Sequence, residues 1–259
     1  MHTATYASAL FLTLFTATSG CTNLTGAASE SYTNSKIKDT YVVTVGVENG
    51  YAGDCPGATV DCSHMTDLLK PYATKLVAYK NKNATKSTIV AAMKEGVKHD
   101  LFIFYYSGHG GSAPAYLDTD EDDGRDEYLC LYDKPLIDND IWAILLKAKG
   151  RVVMIFDACH SETMFKLPFA RSVKGEINGR KARAIEPNLL VWSGCPDSDY
   201  SYGAAQGGEF TNTLRKYFNK AHTYDSLWSA IENDSKLQEF ESVQCTKIGV
   251  DFGGLPVFK

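Results

Sequence analysis

Apolar residues recur along this chain in two rhythms, short unbroken runs and longer stripes at helical spacing. Tyr41–Val47 (YVVTVGV), Leu101–Tyr106 (LFIFYY), Arg151–Phe156 (RVVMIF) and Asn188–Trp192 (NLLVW) are β-branched and aromatic runs too short for helices. Each predicts a strand buried on both faces. Residues 58–70 predict a helix, followed by a short strand near Lys75–Tyr79. Within Lys86–Val97, Ile89, Val90, Met93 and Val97 share one helical face. Asp138 is placed to N-cap a helix whose Ile141, Trp142, Leu145 and Leu146 face inward. Two later helices are predicted over Glu209–Phe218 and Tyr224–Leu237. Buried strands separated by helices mean an α/β fold, a mostly parallel sheet covered on both sides. Sites in such sheets form beyond the carboxyl ends of the strands. The segments there are Ser107-Gly108-His109-Gly110-Gly111, Asp157-Ala158-Cys159-His160 and Ser193-Gly194-Cys195, and they are expected to converge on one edge.

Composition narrows the picture. With 259 residues, 44 % hydrophobic and 22 % charged, the chain suits a sizeable globular domain. A net charge of −5, with no basic stripe, argues against a nucleic-acid partner. Ala9–Ala17 (ALFLTLFTA) is too short to span a bilayer and fits a signal-peptide core. Thr18, Ser19, Gly20 and Cys21 then resemble a bacterial lipoprotein cleavage box, in which the cysteine carries the lipid. Residues 1–21 are therefore read as a leader, 22–38 as a polar tether and 39–259 as one domain. The expectation is an exported protein, secreted or periplasmic, whose only link to a membrane is a lipid on Cys21. Seven cysteines in an exported chain raise the question of disulfides. Setting Cys21 and Cys159 aside leaves Cys55, Cys62, Cys130, Cys195 and Cys245, an odd remainder. A local Cys55–Cys62 bridge and buried thiols both stay open.

The reactive chemistry centres on His109 and Cys159. A cysteine nucleophile needs an imidazole or another cation to lower its pKa from about 8.5, and N–H donors where the oxyanion forms. His109 lies between glycines, which leaves the Gly110 N–H available as a donor; the Cys159 N–H, at the turn after a strand, is the second. His109 precedes Cys159 by 50 residues, counting 109 to 159, the order and spacing of a caspase-type pair. His160 is a rival imidazole, but as the cysteine's neighbour it points elsewhere.

YYSGHGG (Tyr105–Gly111) and FDACHSE (Phe156–Glu162) resemble the two catalytic signatures of metacaspases. DEDDGRDEYLCLYD (Asp120–Asp133), LIDNDIWAIL (Leu136–Leu145), LPFARSVKG (Leu167–Gly175), SGCPDSDYS (Ser193–Ser201) and GGEFTNTL (Gly207–Leu214) extend the resemblance over about residues 40–255. The caspase nucleophile sequence QAC-x-G is absent. The resemblance implies a caspase-like three-layer α/β/α sandwich, with a large-subunit-like part over 39–172, a linker over 173–186 and a small-subunit-like part over 187–259. It implies a monomeric cysteine endopeptidase in which Cys159 attacks, His109 is the acid/base, and the substrates are proteins or peptides with basic residues.

By the same resemblance, Asp61, Asp157 and Asp199 form an acidic pocket for Arg or Lys. Gly203 stands where the family's third acid normally ends its motif. A buried carboxylate pairs bidentately with a guanidinium. Asp118, Asp120, Glu121, Asp122, Asp123, Asp126 and Glu127 crowd into ten residues but lack the spacing of an EF-hand. The resemblance points instead to Asp126, Asp138 and Asn139 as ligands of Ca²⁺, with Lys166 where a fourth acid is usual. Lys174, Arg180, Lys181 and Arg183 offer self-processing sites or a solvated basic loop. The same fold with cleavage after Asn or Asp stands as one alternative; a catalytically silent cation-binding module is another, and Glu162 and Thr163, where the family has Gly and Ser, favour it.

Overall fold

The computed structural model describes residues 21–24, 37–114, 125–158, 176–177, 180–181, 187–194, 203–249 and 252–258. Apart from two-residue strands, its strands are β1 (Thr22–Leu24), β2 (Thr40–Gly46), β3 (Lys75–Lys80), β4 (Leu101–Ser107), β5 (Gly110–Pro114), β6 (Arg125–Cys130), β7 (Pro135–Ile137), β8 (Arg151–Asp157), β9 (Asn188–Ser193) and β10 (Gln244–Ile248). Its helices are α1 (Ala58–Leu69), α2 (Lys86–Gly96), α3 (Asp138–Leu145), α4 (Glu209–Phe218), α5 (Tyr224–Glu232) and α6 (Ser235–Phe240).

The predicted runs become the centre of a seven-stranded sheet in the order β1-β10-β9-β8-β4-β2-β3. Neighbours are parallel except β9 and β10, which run antiparallel. Strands β2, β4 and β8 are buried along their whole length, as uniform apolar runs require. Alternate side chains then feed two cores. Val43, Phe104, Met154 and Phe156 meet Ile89 and Met93 of α2 and Ile141 and Leu145 of α3. Val42, Ile103, Ile155 and Trp192 meet Met65 of α1, Phe210 and Leu214 of α4 and Trp228 of α5. Each such side chain contributes about 1.5–3 kcal/mol on burial. The result is the expected α/β/α sandwich.

Several expectations need correction. The single helix predicted over Tyr224–Leu237 is broken, because the buried Asp234 accepts hydrogen bonds from the Lys236 and Leu237 N–H groups and so N-caps α6. Asp138 is the first residue of α3 rather than its cap; Ile137 occupies the cap position. Leu146 lies just past the end of α3 and is 44 % exposed, while Ile144 takes the inward position. Thr22–Leu24, read as tether, adds a strand parallel to β10; an edge strand pairs through its backbone and needs no apolar pattern. Cys21 is joined to Cys245, with Cα atoms 4.5 Å apart. A sulfur in a disulfide cannot also carry a thioether-linked lipid, so the lipid expected on Cys21 gives way in this structure. Cys55 and Cys62 are not bridged to each other. No helix among the described residues is long and apolar enough to cross a membrane.

Candidate active site

The carboxyl ends of the central strands are tied together by their own backbone. Asp157 lies in register with Ser107. The Gly108 N–H donates to the Asp157 carbonyl (3.3 Å), the Val47 N–H to that of Ser107 (2.9 Å) and the Gly194 N–H to that of Phe156 (2.8 Å). This convergence brings the segment leading to His109 beside the one that ends at Ala158, the last described residue before Cys159. Cys159 itself, His160, Glu162, Thr163, Lys166, Lys174, Arg183, Cys195, Asp199 and the acids at 118–123 lie outside the described residues, as does the leader before Cys21.

His109 is held from three sides. Its Nε2 donates to the Asp54 carbonyl oxygen at 2.9 Å. A carbonyl accepts only, so Nε2 carries the proton and neutral His109 keeps Nδ1 as its acceptor. Its own carbonyl accepts from the Tyr106 hydroxyl at 2.7 Å and from the Cys130 N–H at 2.9 Å. That last bond also fixes the neighbouring donor. In an antiparallel ladder bonded and non-bonded pairs alternate. His109 and Cys130 are bonded, so Gly110, opposite Leu129, directs its N–H away from β6.

Behind this loop lie two buried carboxylates, Asp61 in the first turn of α1 and Asp157 at the end of β8, exposed by 2 % and 4 %. Asp61 accepts from the Gly208 N–H at 3.0 and 2.9 Å on its two oxygens, and from the Ser107 hydroxyl at 2.9 Å. Asp157 Oδ2 accepts from the Thr211 N–H (3.1 Å) and hydroxyl (2.6 Å). The Tyr105 hydroxyl lies 2.5 Å from Thr211 Oγ1; since that oxygen donates to Asp157, Tyr105 donates to it. Gly207 and Gly208 leave no room for side chains here. A Cβ on Gly207 would fall 2.1 Å from Asp61 Oδ1, and one on Gly208 2.2 Å from Asp157 Oδ2. Gly207 also adopts a φ of 102°, which glycine accepts without strain. Burial, and then the neighbouring Asp157 charge, push the Asp61 carboxyl up to about 7.

The structure thus brings Asp61 and Asp157 together and adds Ser107, Gly207, Gly208 and Thr211, which sequence reasoning did not assign. Ser107 sat in plain view, as the residue after a buried strand. Gly203 pairs with Gly208 in a two-residue hairpin over the acids. Of the expected calcium ligands, Asp126 lies on β6 and Asp138 opens α3, where its Oδ1 accepts from the Asn139 N–H at 2.8 Å. Tyr128 of β6 pairs with Ile137, so Asp126 and Asp138–Asn139 flank the same end of that ladder. Carboxylate and amide oxygens suit a hard cation. Among the described residues, no group of three or more His, Cys, Asp and Glu is arranged to hold a metal.

A profile of the caspase domain matches residues 40–247. The chain belongs to the caspase-domain family. Curated relatives that it matches are metacaspases. It is 38 % identical over 121 residues to metacaspase-1 of Meyerozyma guilliermondii, an alignment covering 42 % of this chain and 28 % of that one. It is 37 % identical over 174 residues to metacaspase-1 of Candida glabrata, covering 63 % and 40 %. The chain thus spans less than half the length of these relatives. Among solved structures, a protein of Geobacter sulfurreducens superposes with a TM-score of 0.65 at 22 % identity over 85 % of this chain and 98 % of its own. Caspase-1 of Spodoptera frugiperda gives 0.59 at 14 % identity, over 85 % and 90 %. These two likenesses concern the fold. The family is one of cysteine peptidases, the reaction class implied by the two signatures.

Proposed function

We propose that this chain is a cysteine endopeptidase that cleaves after Arg or Lys. The observation that carries the specificity is the buried pair Asp61 and Asp157. Burial and the neighbouring Asp157 charge raise the Asp61 pKa, and a substrate cation beside the two carboxyls would favour their ionised forms. A guanidinium offers a planar fork of donors to two carboxylates at once. Asp199 is proposed as a third acid of the pocket.

In the proposed reaction, His109 accepts the Cys159 thiol proton at Nδ1 while the Asp54 carbonyl keeps Nε2 protonated and the ring oriented. The thiolate attacks the scissile carbonyl carbon. The Gly110 and Cys159 N–H groups bind the oxyanion. Imidazolium then returns the proton to the leaving amine, and water hydrolyses the thioester. Asp126, Asp138 and Asn139 are the proposed holders of Ca²⁺, which when bound would supply positive charge between β6 and the start of α3. Lys166 is proposed to offset the same acids in part. The reading includes a monomer, supported by β1 covering the outer edge of β10, and an exported protein, supported by the Cys21–Cys245 disulfide.

The test is a panel of fluorogenic Arg, Lys, Asn and Asp peptides, with and without Ca²⁺, on wild type and Cys159→Ala. Mass spectrometry for cuts near residues 174–183 accompanies it, to identify an uncleaved precursor. Turnover of Arg and Lys peptides that Cys159→Ala abolishes is expected. No turnover by processed or unprocessed protein under any condition sinks the enzyme reading. Turnover confined to Asn or Asp sinks only the pocket. A Lys166→Asp variant that gains Ca²⁺ dependence would show that the lysine takes the place of an ion ligand.

A further inference from the structure

We infer that Cys21 and Cys245 form a redox latch, which closes the open edge of the sheet with the chain's own N-terminal segment and opens when the disulfide is reduced. The edge in question is β10. Its inner side pairs antiparallel with β9 over Leu189–Ser193. Its outer side is covered by the three residues of β1, in the register Thr22↔Thr246, Asn23↔Lys247 and Leu24↔Ile248. A three-residue strand makes few ladder bonds, and its own ordering entropy is about 1–2 kcal/mol per residue. Pairing of that length does not hold a chain end by itself. The disulfide lies immediately before the first of these pairs, so it fixes both the position and the register of β1.

The place of the latch gives it reach. Cys245 lies opposite Trp192 and Gln244 opposite Ser193, and Ser193-Gly194 is the segment whose N–H binds the Phe156 carbonyl beside the acid pair. The latch therefore closes at the carboxyl end of β9, the end that bears the candidate site. Cys245 is 3 % exposed while Cys21 is only partly buried, so a reductant reaches the bridge from the Cys21 side. Its formation balances as an exchange. A Cys21 or Cys245 thiolate attacks an oxidised disulfide donor and expels one thiol. The second thiolate then attacks the mixed disulfide and expels the other, leaving the bridge and two donor thiols. A dithiol reductant runs the same exchange in reverse. The latch also commits the Cys21 sulfur, which is then unavailable for lipid attachment.

The test uses the full chain expressed with export into an oxidising compartment. Alkylation after denaturation without reductant, read by peptide mapping, is expected to leave Cys21 and Cys245 unmodified and linked in one peptide pair. Hydrogen exchange is then compared for wild type, dithiol-treated wild type and Cys21→Ser. Amides of residues 244–248 are expected to exchange at least about tenfold faster in the last two, while those of β4 and β8 keep their rates. Recovery of Cys21 as an alkylated thiol or a lipid-bearing residue overturns the latch. So does unchanged exchange at 244–248 in the dithiol-treated protein, which settles the matter if Cys21→Ser fails to accumulate. None of these readouts depends on peptidase activity.

Discussion

Replacing Gly208 by alanine tests whether the acid pair is shaped by direct contact with the glycine hairpin. The backbone there (φ −73°, ψ 151°) suits any residue, so the substitution carries no conformational penalty and isolates the contact. The new methyl would sit 2.2 Å from Asp157 Oδ2 and 2.7 Å from its Cγ and Oδ1, against the 3.4 Å at which ordinary contact begins. The carboxylate must retreat by about 1 Å. Overpacking of this kind costs about 1–3 kcal/mol. The Asp157 bonds from the Thr211 N–H and hydroxyl then lengthen, and losing one hydrogen bond to a charged group adds about 1.5–3 kcal/mol. A loss of about 3–5 kcal/mol is expected, read as a lower urea midpoint at unchanged m-value, together with a raised KM for Arg peptides. Gly254→Ala, with nothing within 4 Å of the added Cβ, serves as the silent control. In Gly208→Ala/Asp157→Ala the clash has no partner, so the double variant should be no less stable than Asp157→Ala alone. An unchanged midpoint and KM in Gly208→Ala, or strict additivity in the double variant, would refute the contact.

Three further outcomes follow from the same geometry. The Asp61 carboxyl titrates higher in the folded chain than in the unfolded one, from 3.8 to about 7, so the native state holds the proton more tightly and stability falls as pH rises through that window. Asp61→Asn should flatten the slope of urea midpoint against pH between 4 and 7 while weakening Arg-peptide binding; equal slopes in the two proteins would contradict the shift. Tyr105→Phe removes the donor behind Thr211 Oγ1 and should cost about 1 kcal/mol and raise KM more than it lowers kcat; a kcat loss at constant KM would speak against this positioning role. Closing a loop across the 224-residue separation of Cys21 and Cys245 is worth at most about 5 kcal/mol by chain entropy. Adding a dithiol should lower the unfolding free energy, read from the urea midpoint and m-value, by up to that amount, and an unmoved midpoint would mean that β1 docks without the bond.

What could be read in the sequence, and what could not, divides by the kind of signal involved. Strands β2, β4, β8 and β9 announced themselves because burial on both faces forces an unbroken apolar run, and that signal is local. The residues following them were then found by position alone, which is how Ser107, His109 and Asp157 come to one edge. Strands β1 and β5 escaped notice, since TNL and GGSAP pair through backbone groups and carry no pattern of their own. The same holds at the acid pair. Asp61 was picked out through a family likeness, and its role rests on contacts no spacing reveals. Its principal donor is an amide 147 residues away, contributed by a glycine that reads locally as a turn. Thr211 looks like an ordinary helical threonine, yet its hydroxyl links Tyr105 to Asp157. The Cys21–Cys245 pair is 224 residues apart, and no local spacing marks its two members as partners. Side chains with distinctive chemistry are thus legible one by one. The surroundings of the acid pair are built largely from main-chain N–H groups, small hydroxyls and missing Cβ atoms, whose meaning exists only once the chain has brought them together.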